Sequence, residues 1–273
     1  IGRGAPAMLN VGLSTRFPKP THAIAFHDSA SLPAGIIGYS VGPALANVDS
    51  VVVKVRGVGG HGAYPHTTRD PIVLGSRIVT TLQTLISRDL NPLDSAVVTV
   101  GSFQSGTKHN IISDEARLLI TVRSYTPVIR EQLLDGIRRI VRGEAIAAGI
   151  PEDRMPEVTL RETDFTPATV NTDALTQSTA ALFRRHFGED RVRQVPPVMA
   201  GEDFSRYHLA DPAIESLIFW VGGVPQDRWD EVESEVQRLP SLHSLFWAPD
   251  RERTIPTATE GMTVAAMGVF GRN

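Results

Sequence analysis

From residue 49 onward, hydrophobic and polar positions follow regular periods. The stretch "SVVVKVRG" (Ser50 to Gly57) alternates and is β-branched, which predicts a strand. In "DPIVLGSRIVTTLQTLIS" the apolar residues Ile72, Val73, Ile78, Val79, Leu82, Leu85 and Ile86 recur at helical spacing. Asp70 and Pro71 supply an N-cap and a proline at the first helical position. "SAVVTVGSFQSG" and "ARLLITVRSY" read as strands. "TPVIREQLLDGIRRIVRGEAIAAG" reads as a long helix that starts at Thr126 and Pro127 and stops at Gly149, and "PEVTLRETDF" reads as a last strand. The order βαββαβ over 48–167 predicts a ferredoxin-like unit, a four-stranded sheet with two helices on one face.

The flanking segments are less regular. "HAIAFH" (His22 to His27) predicts a short strand, and "GIIGYSVGPALA" another with glycine breaks. After the βαββαβ segment come an amphipathic helix in "NTDALTQSTAALFRRHFG", the segment "GEDFSRYH", a buried strand in "SLIFWVGG", and a closing helix from about Ile255 to Phe270. The acidic stretch 227–244 reads as a solvated loop or short helix. Neither flank is long enough for an α/β domain of its own. The fold class is therefore α/β: residues 1–47 and 168–273 complete one sheet with helices on both faces, and 48–167 is inserted into it. The opening "IGRGAPAMLNVGL" reads as a helix already under way, hence as an amputated or processed N-terminus.

Composition narrows the function. Of 273 residues, 41% are hydrophobic and 21% charged, with a net charge of −3. That balance suits a globular chain and gives no basic footprint for nucleic acid or an anionic membrane. A ferredoxin-like sheet is also an RNA-recognition fold, but the strands here lack its aromatic stacking pairs. No apolar run is long enough for a transmembrane helix. The chain has no cysteine, which excludes disulfides and thiolate metal sites within it and favours a reducing, cytoplasmic compartment.

The candidate chemistry lies in histidines. In "GVGGHGAYPH" (Gly57 to His66), four of ten residues are glycine. Gly57, Gly59, Gly60 and Gly62 permit positive φ and close backbone approach, so His61 is presented rather than packed, unless this is simply a glycine-rich hairpin. His27 closes a strand and suits either a metal ligand through neutral imidazole or a capped loop residue. His243, in "PSLHSLF", leaves the same choice open. His66, after Tyr64 and Pro65, reads as closing the turn, and His22, His109, His186 and His208 have no distinguishing context.

"GVGGHGAYPH", the following stretch to "TVRSY", "AGEDFSRY" and the late "LHS" together resemble the zinc aminoacylase and carboxypeptidase superfamily. The similarity is to its amidohydrolase branch, which includes hippurate hydrolase and auxin-conjugate hydrolases. The motifs arrive in that family's order and span nearly the whole chain. The resemblance implies a zinc-peptidase-like α/β catalytic domain with an inserted ferredoxin-like lid that forms a homodimer. It also implies hydrolysis of an amide bond in N-acyl amino acids or small peptides, assisted by two divalent metal ions, zinc or manganese.

On this resemblance His27 and His243 match metal ligands. His61 matches the lid histidine that stabilises the oxyanion in the other subunit's active site. Asn110, in "HNIIS", matches the asparagine that contacts substrate, and Arg123, in "TVRSY", matches the arginine that binds the substrate carboxylate, unless it makes a strand-edge salt bridge. Gly201, in "AGEDF", matches a loop whose backbone faces substrate, where Glu202 and Asp203 could equally cap the helix that follows. The chain departs from the family in one respect: the family's C-x-H motif is absent, and its Glu–Glu pair would precede the segment matching Gly2 to Ala5. The expectation is therefore an incomplete or empty metal site and an inactive fragment. The alternative is a non-catalytic dimerising remnant of the family.

Overall fold

The computed structural model describes residues 2–232 and 239–271. The elements run α1 (Gly4–Asn10), α2 (Leu13–Arg16), β1 (His22–Pro33), β2 (Ile37–Tyr39), β3 (Gly42–Leu45), β4 (Asn47–Arg56), β5 (Gly60–His61), α3 (Pro71–Thr84), β6 (Ala96–Ser105), β7 (Ile111–Ile112) and β8 (Glu115–Ser124). They continue with α4 (Pro127–Ala147), β9 (Glu157–Leu160), β10 (Thr169–Asn171), α5 (Asp173–Phe187), β11 (Val192–Gln194), α6 (Ser205–Ala210), β12 (Glu215–Val224), α7 (Gln226–Val232) and α8 (Arg251–Val269). The chain forms two compact units: one is chiefly Ala46–Ala168 with Met199–Glu202, the other Arg3–Leu45, Thr169–Val198 and Asp203 onward.

The first unit is a four-stranded antiparallel sheet in the order β6-β8-β4-β9. That is the ferredoxin-like order expected of βαββαβ. Period-two alternation turns Val51, Val53 and Val55 of β4 and Ala116, Leu118, Ile120 and Val122 of β8 to one face. There they pack with Leu74, Ile78 and Leu82 of α3 and Leu133, Ile137 and Ile140 of α4. The Asp70 side chain caps α3, accepting from the N–H groups of Ile72 (2.8 Å) and Val73 (3.4 Å), with Pro71 at the first helical position. Thr126 caps α4 by accepting from Ile129 N–H. Gly149, at φ +67°, ends that helix two residues beyond Ala147. α3 does not run on regularly through Ile86. It widens into a π turn over Leu85–Asp89, closed by Leu90 N–H to Leu85 O at 3.1 Å, which keeps both Leu85 and Leu90 buried.

The second unit holds a four-stranded sheet, β1-β12-β2-β11, and a two-stranded one, β10-β3, so segments from either side of the inserted unit share each. β12 is parallel to β1 and antiparallel to β2. Its alternation sends Phe219 and Val221 to one face, where Ile37, Phe183 of α5 and Ala258 and Ala265 of α8 cover them. Ile218 and Trp220 go to the other face, with Leu32, Ala44 and Phe204. β1 is twice the length of the predicted "HAIAFH" strand, extending to Pro33. The glycine-broken segment is two separate strands, β2 and β3. The acidic stretch begins as helix α7, and residues 233–238 within it lie outside the described residues. The closing helix starts at Arg251, earlier than expected, because the Asp250 side chain caps it through Arg253 N–H.

Candidate functional site

His61 and Asn110 are neighbours on one tip of the first unit. β5 and β7 form a short antiparallel ladder that pairs His61 with Ile111 and Gly60 with Ile112. Gly62 N–H donates to Asn110 O at 2.8 Å. Both His61 and Asn110 are exposed, and the Asn110 side-chain amide has no hydrogen-bond partner among the described residues.

The glycines around His61 are explained by close approach, not by positive φ, since none of the four adopts it. A Cβ at Gly57 would lie 2.4 Å from Arg69 O, and one at Gly59 2.8 Å from Ile112 O. At Gly60 it would lie 2.8 Å from Thr68 Cγ2, and at Gly62 3.1 Å from Asn110 O. The loop is bare because the backbone of Arg69, Ile112 and Asn110 and the side chain of Thr68 press on it. Asp114 fixes its base, accepting from Gly59 N–H at 2.9 Å. Within the tip, Ala63 N–H donates to His61 Nδ1 at 3.1 Å. The Tyr64 ring lies 5.6 Å from the imidazole. Ala63 and Tyr64 carried no signal of this in the sequence, because their roles depend on how the turn closes.

Arg123 and Gly201 are gathered around Val48. Arg123 is opposite Val48 in the β4–β8 ladder. A Cβ at Gly201 would sit 2.2 Å from Val48 Cγ2, so no larger residue fits there without displacing the strand. Arg123 Nη1 donates to Met199 O at 2.6 Å. β8 is an interior strand, and no ion pair of Arg123 occurs among the described residues, so the strand-edge salt bridge is not found. One edge of its guanidinium is thus anchored to the Met199–Gly201 segment, and its other N–H groups have no protein acceptor among the described residues. Asp203 caps α1 rather than serving only its own neighbourhood: its Oδ2 accepts from Ala5 N–H at 2.9 Å.

His27 and the loop bearing His243 belong to the second unit. His27 Nδ1 is 2.8 Å from Asp28 O and 3.0 Å from Asp28 Oδ1, both acceptors. The proton therefore sits on Nδ1 and leaves the Nε2 lone pair for a ligand. His243 is the only non-glycine residue at positive φ (67°) among the described residues. That conformation is uncommon outside glycine, though histidine adopts it more readily than most residues. Trp247 Nε1–H donates to Asp28 Oδ2 at 3.1 Å, which ties the His243 loop to the residue beside His27. Asp28 and Trp247 were invisible in the sequence because 219 positions separate them. Among the described residues, no three histidine or carboxylate side chains converge as metal donors. The described residues do not by themselves make a metal centre, mono- or dinuclear.

Residues 44–148 match the peptidase dimerisation domain family. The ferredoxin-like unit is thus similar to the dimerisation domain of peptidases. An N-acetyldiaminopimelate deacetylase of Bacillus cytotoxicus is 36% identical over 207 residues, covering 75% of this chain and 52% of that protein. One of Bacillus licheniformis is 41% identical over 140 residues, covering 51% of this chain and 37% of that protein. The chain therefore spans about half or less of the length of these curated relatives. The solved YXEP protein of Bacillus subtilis, a dinuclear metal binding peptidase of the M20 family, has the same fold: TM-score 0.73 over 100% of this chain and 63% of that one, at 22% identity. Over the stretches matched, the chain is thus similar to amidohydrolases and deacetylases in sequence and shares the fold of a solved M20 peptidase. No helix among the described residues is long and apolar enough to cross a membrane.

Proposed function

We propose that this chain is the lid and part of the catalytic domain of an amidohydrolase that cleaves N-acyl amino acids or small peptides as a homodimer. The observation that carries the reading is the placement of His61 beside Asn110 on one exposed tip, supported by relatives that are deacetylases of an N-acyl amino acid. In this reading the His61 imidazole donates a hydrogen bond to the oxyanion that develops on the scissile carbonyl, in the facing subunit. Donors of this type contribute about 3 kcal/mol, roughly 10²-fold in rate. Asn110 orients the substrate from the same tip. The free edge of the Arg123 guanidinium binds the substrate carboxylate, a role suited to its planar fork. The Gly201 backbone faces the substrate, and its missing side chain leaves room for Val48 behind it.

His27 and His243 would contribute imidazole donors to a centre of two divalent ions, zinc or manganese, which polarises the amide and activates water when bound. As these two residues do not complete such a centre, the 273-residue chain by itself is expected to be inactive. That same observation favours a second reading, a dimerising member of the family without catalysis of its own.

Metal analysis and assay separate the two. A protein joining this chain to the remaining donors should bind two divalent ions per subunit and hydrolyse N-acetyl amino acids. His61→Ala there should lower kcat about 10²-fold with metal content unchanged. Turnover by the 273-residue chain alone with added zinc or manganese would refute the expected inactivity. A completed protein that binds metal and shows no amide hydrolysis would favour the second reading.

A further inference from the structure

We infer that the Gly60–Tyr64 turn fixes the tautomer of the neutral His61 imidazole, with the proton on Nε2 and the main-chain amide of Ala63 as the positioning group. The sign follows from the hydrogen bond. Ala63 N–H is a donor and can be nothing else, so His61 Nδ1, 3.1 Å away, must be the unprotonated nitrogen. The one ring proton is then on Nε2. His61 is left as a hydrogen-bond donor at Nε2, and its lone-pair nitrogen is occupied by the protein's own backbone. In that tautomer it is poorly suited to ligate a metal through Nε2.

The rest of the turn supports the same state. Tyr64 N–H donates to His61 O at 2.9 Å and Gly62 N–H to Asn110 O at 2.8 Å, so the backbone on either side of Ala63 is pinned. The Tyr64 ring, inclined 55° to the imidazole at 5.6 Å, limits rotation of the histidine side chain. His27 shows the opposite arrangement, since its Nδ1 faces acceptor oxygens of Asp28 and its Nε2 keeps the lone pair. One fold thus sets two histidines in opposite tautomers, one suited to donating and one to ligating. The tautomer itself follows from geometry alone, and its meaning as oxyanion donation rests on the proposed amidohydrolase reading.

The test uses the 273-residue chain labelled with ¹⁵N at histidine. Long-range ¹H–¹⁵N correlation spectra at pH about 8.5, where histidine is normally neutral, report which ring nitrogen bears the proton. His61→Gln identifies the signals. The expected result is a His61 Nδ1 shifted further toward the unprotonated limit than the histidines of the same chain unfolded in urea, with His27 shifted the other way. In Ala63→Pro, which lacks the N–H, the His61 pattern should return to the urea value. Tyr64→Phe should leave it in place. A His61 pattern equal to the urea reference in the unmodified chain, or an Nδ1-protonated one, overturns the inference, whatever the variants do. Failure of the catalytic reading looks different: a fixed Nε2–H tautomer together with a His61→Ala variant of full activity in the metal-loaded complete protein.

Discussion

The indole N–H of Trp247 donates to the Asp28 carboxylate at 3.1 Å, and the same carboxylate lies 3.0 Å from His27 Nδ1. One acidic residue therefore orients the His27 ring and anchors the loop that carries His243. Its two oxygens serve one partner each, the adjacent His27 and the distant Trp247.

Trp247→Phe keeps the ring and removes the donor. It should cost about 1 kcal/mol, the usual net contribution of a partly exposed hydrogen bond. Hydrogen exchange of amides in 241–250 should become about five-fold faster, while exchange in β4 and β8 stays unchanged. Equal exchange in the two proteins would mean the bond does not hold the loop.

Asp49 and Arg130 form a bidentate pair at 2.7 and 2.8 Å, in which the Asp49 side chain is 4% exposed. Asn47 also donates to Asp49, and Ser124 donates to Asn47, so the buried network is continuous. The Arg130 guanidinium lies 4.4 Å over the Phe165 ring, and its pKa is raised chiefly by the hydrogen bond to Asp49. Arg130→Ala should destabilise the first unit by about 3 kcal/mol or more, because it strands a buried carboxylate. Arg138→Ala, which breaks the exposed pair with Asp135, should cost less than about 1 kcal/mol. Urea denaturation of the two variants tests the ranking.

Asn171 acts as a piece of backbone in the second unit. Its Oδ1 accepts from Ile218 N–H at 2.7 Å, and its Nδ2 donates to Ile218 O and Ser40 O at 2.9 and 2.8 Å. Asn171→Ala leaves buried main-chain groups without partners and should cost about 2–4 kcal/mol. Asn171→Asp should be at least as harmful, since a carboxylate cannot donate to the two carbonyls. A melting temperature within error of the unmodified protein for either variant would contradict this.

Asp211 is held below its ordinary carboxyl pKa of 3.8 first by the hydrogen bond from Lys19, then by Ala213 N–H. A depressed carboxyl contributes stability above its unfolded pKa and loses it as pH falls through the folded one. The Lys19–Asp211 contribution should therefore be full at neutral pH and fade only below about pH 4. Lys19→Met should raise the NMR titration midpoint of the Asp211 carboxyl and leave the stability curve between pH 5 and 8 parallel to the original.

Dimerisation is tested without activity. The first unit matches the peptidase dimerisation domain, and its sheet leaves β6 and β9 as edges. Pairing across a two-fold axis would cover such edges. Sedimentation at micromolar concentration should give a dimer, and Val100→Lys in β6 should weaken it more than a charge placed on α7. A monomer at all concentrations would count against both the homodimer and the action of His61 on a facing subunit.

The sequence by itself determined the elements whose physics is local. Periods of 2 and 3.6 residues marked β4, β6, β8, α3 and α4. Asp70 and Thr126 marked the helix starts, because a cap acts within three residues of itself. The motifs around His61, Asn110, Arg123 and Gly201 were readable as text. Tertiary structure decided what depends on distant partners. β1 pairs in parallel with β12 almost 200 residues later, and no local period records that choice. The glycines near His61 exist because Arg69, Ile112, Thr68 and Asn110 press against them, which only the folded loop shows. The tautomers of His27 and His61 were fixed by whether an oxygen or an N–H met Nδ1. Asp28 and Trp247 gained their role only when the fold closed 219 residues of chain between them. A hydrogen bond requires approach to about 3 Å, and for residues far apart in sequence only the folded chain provides it.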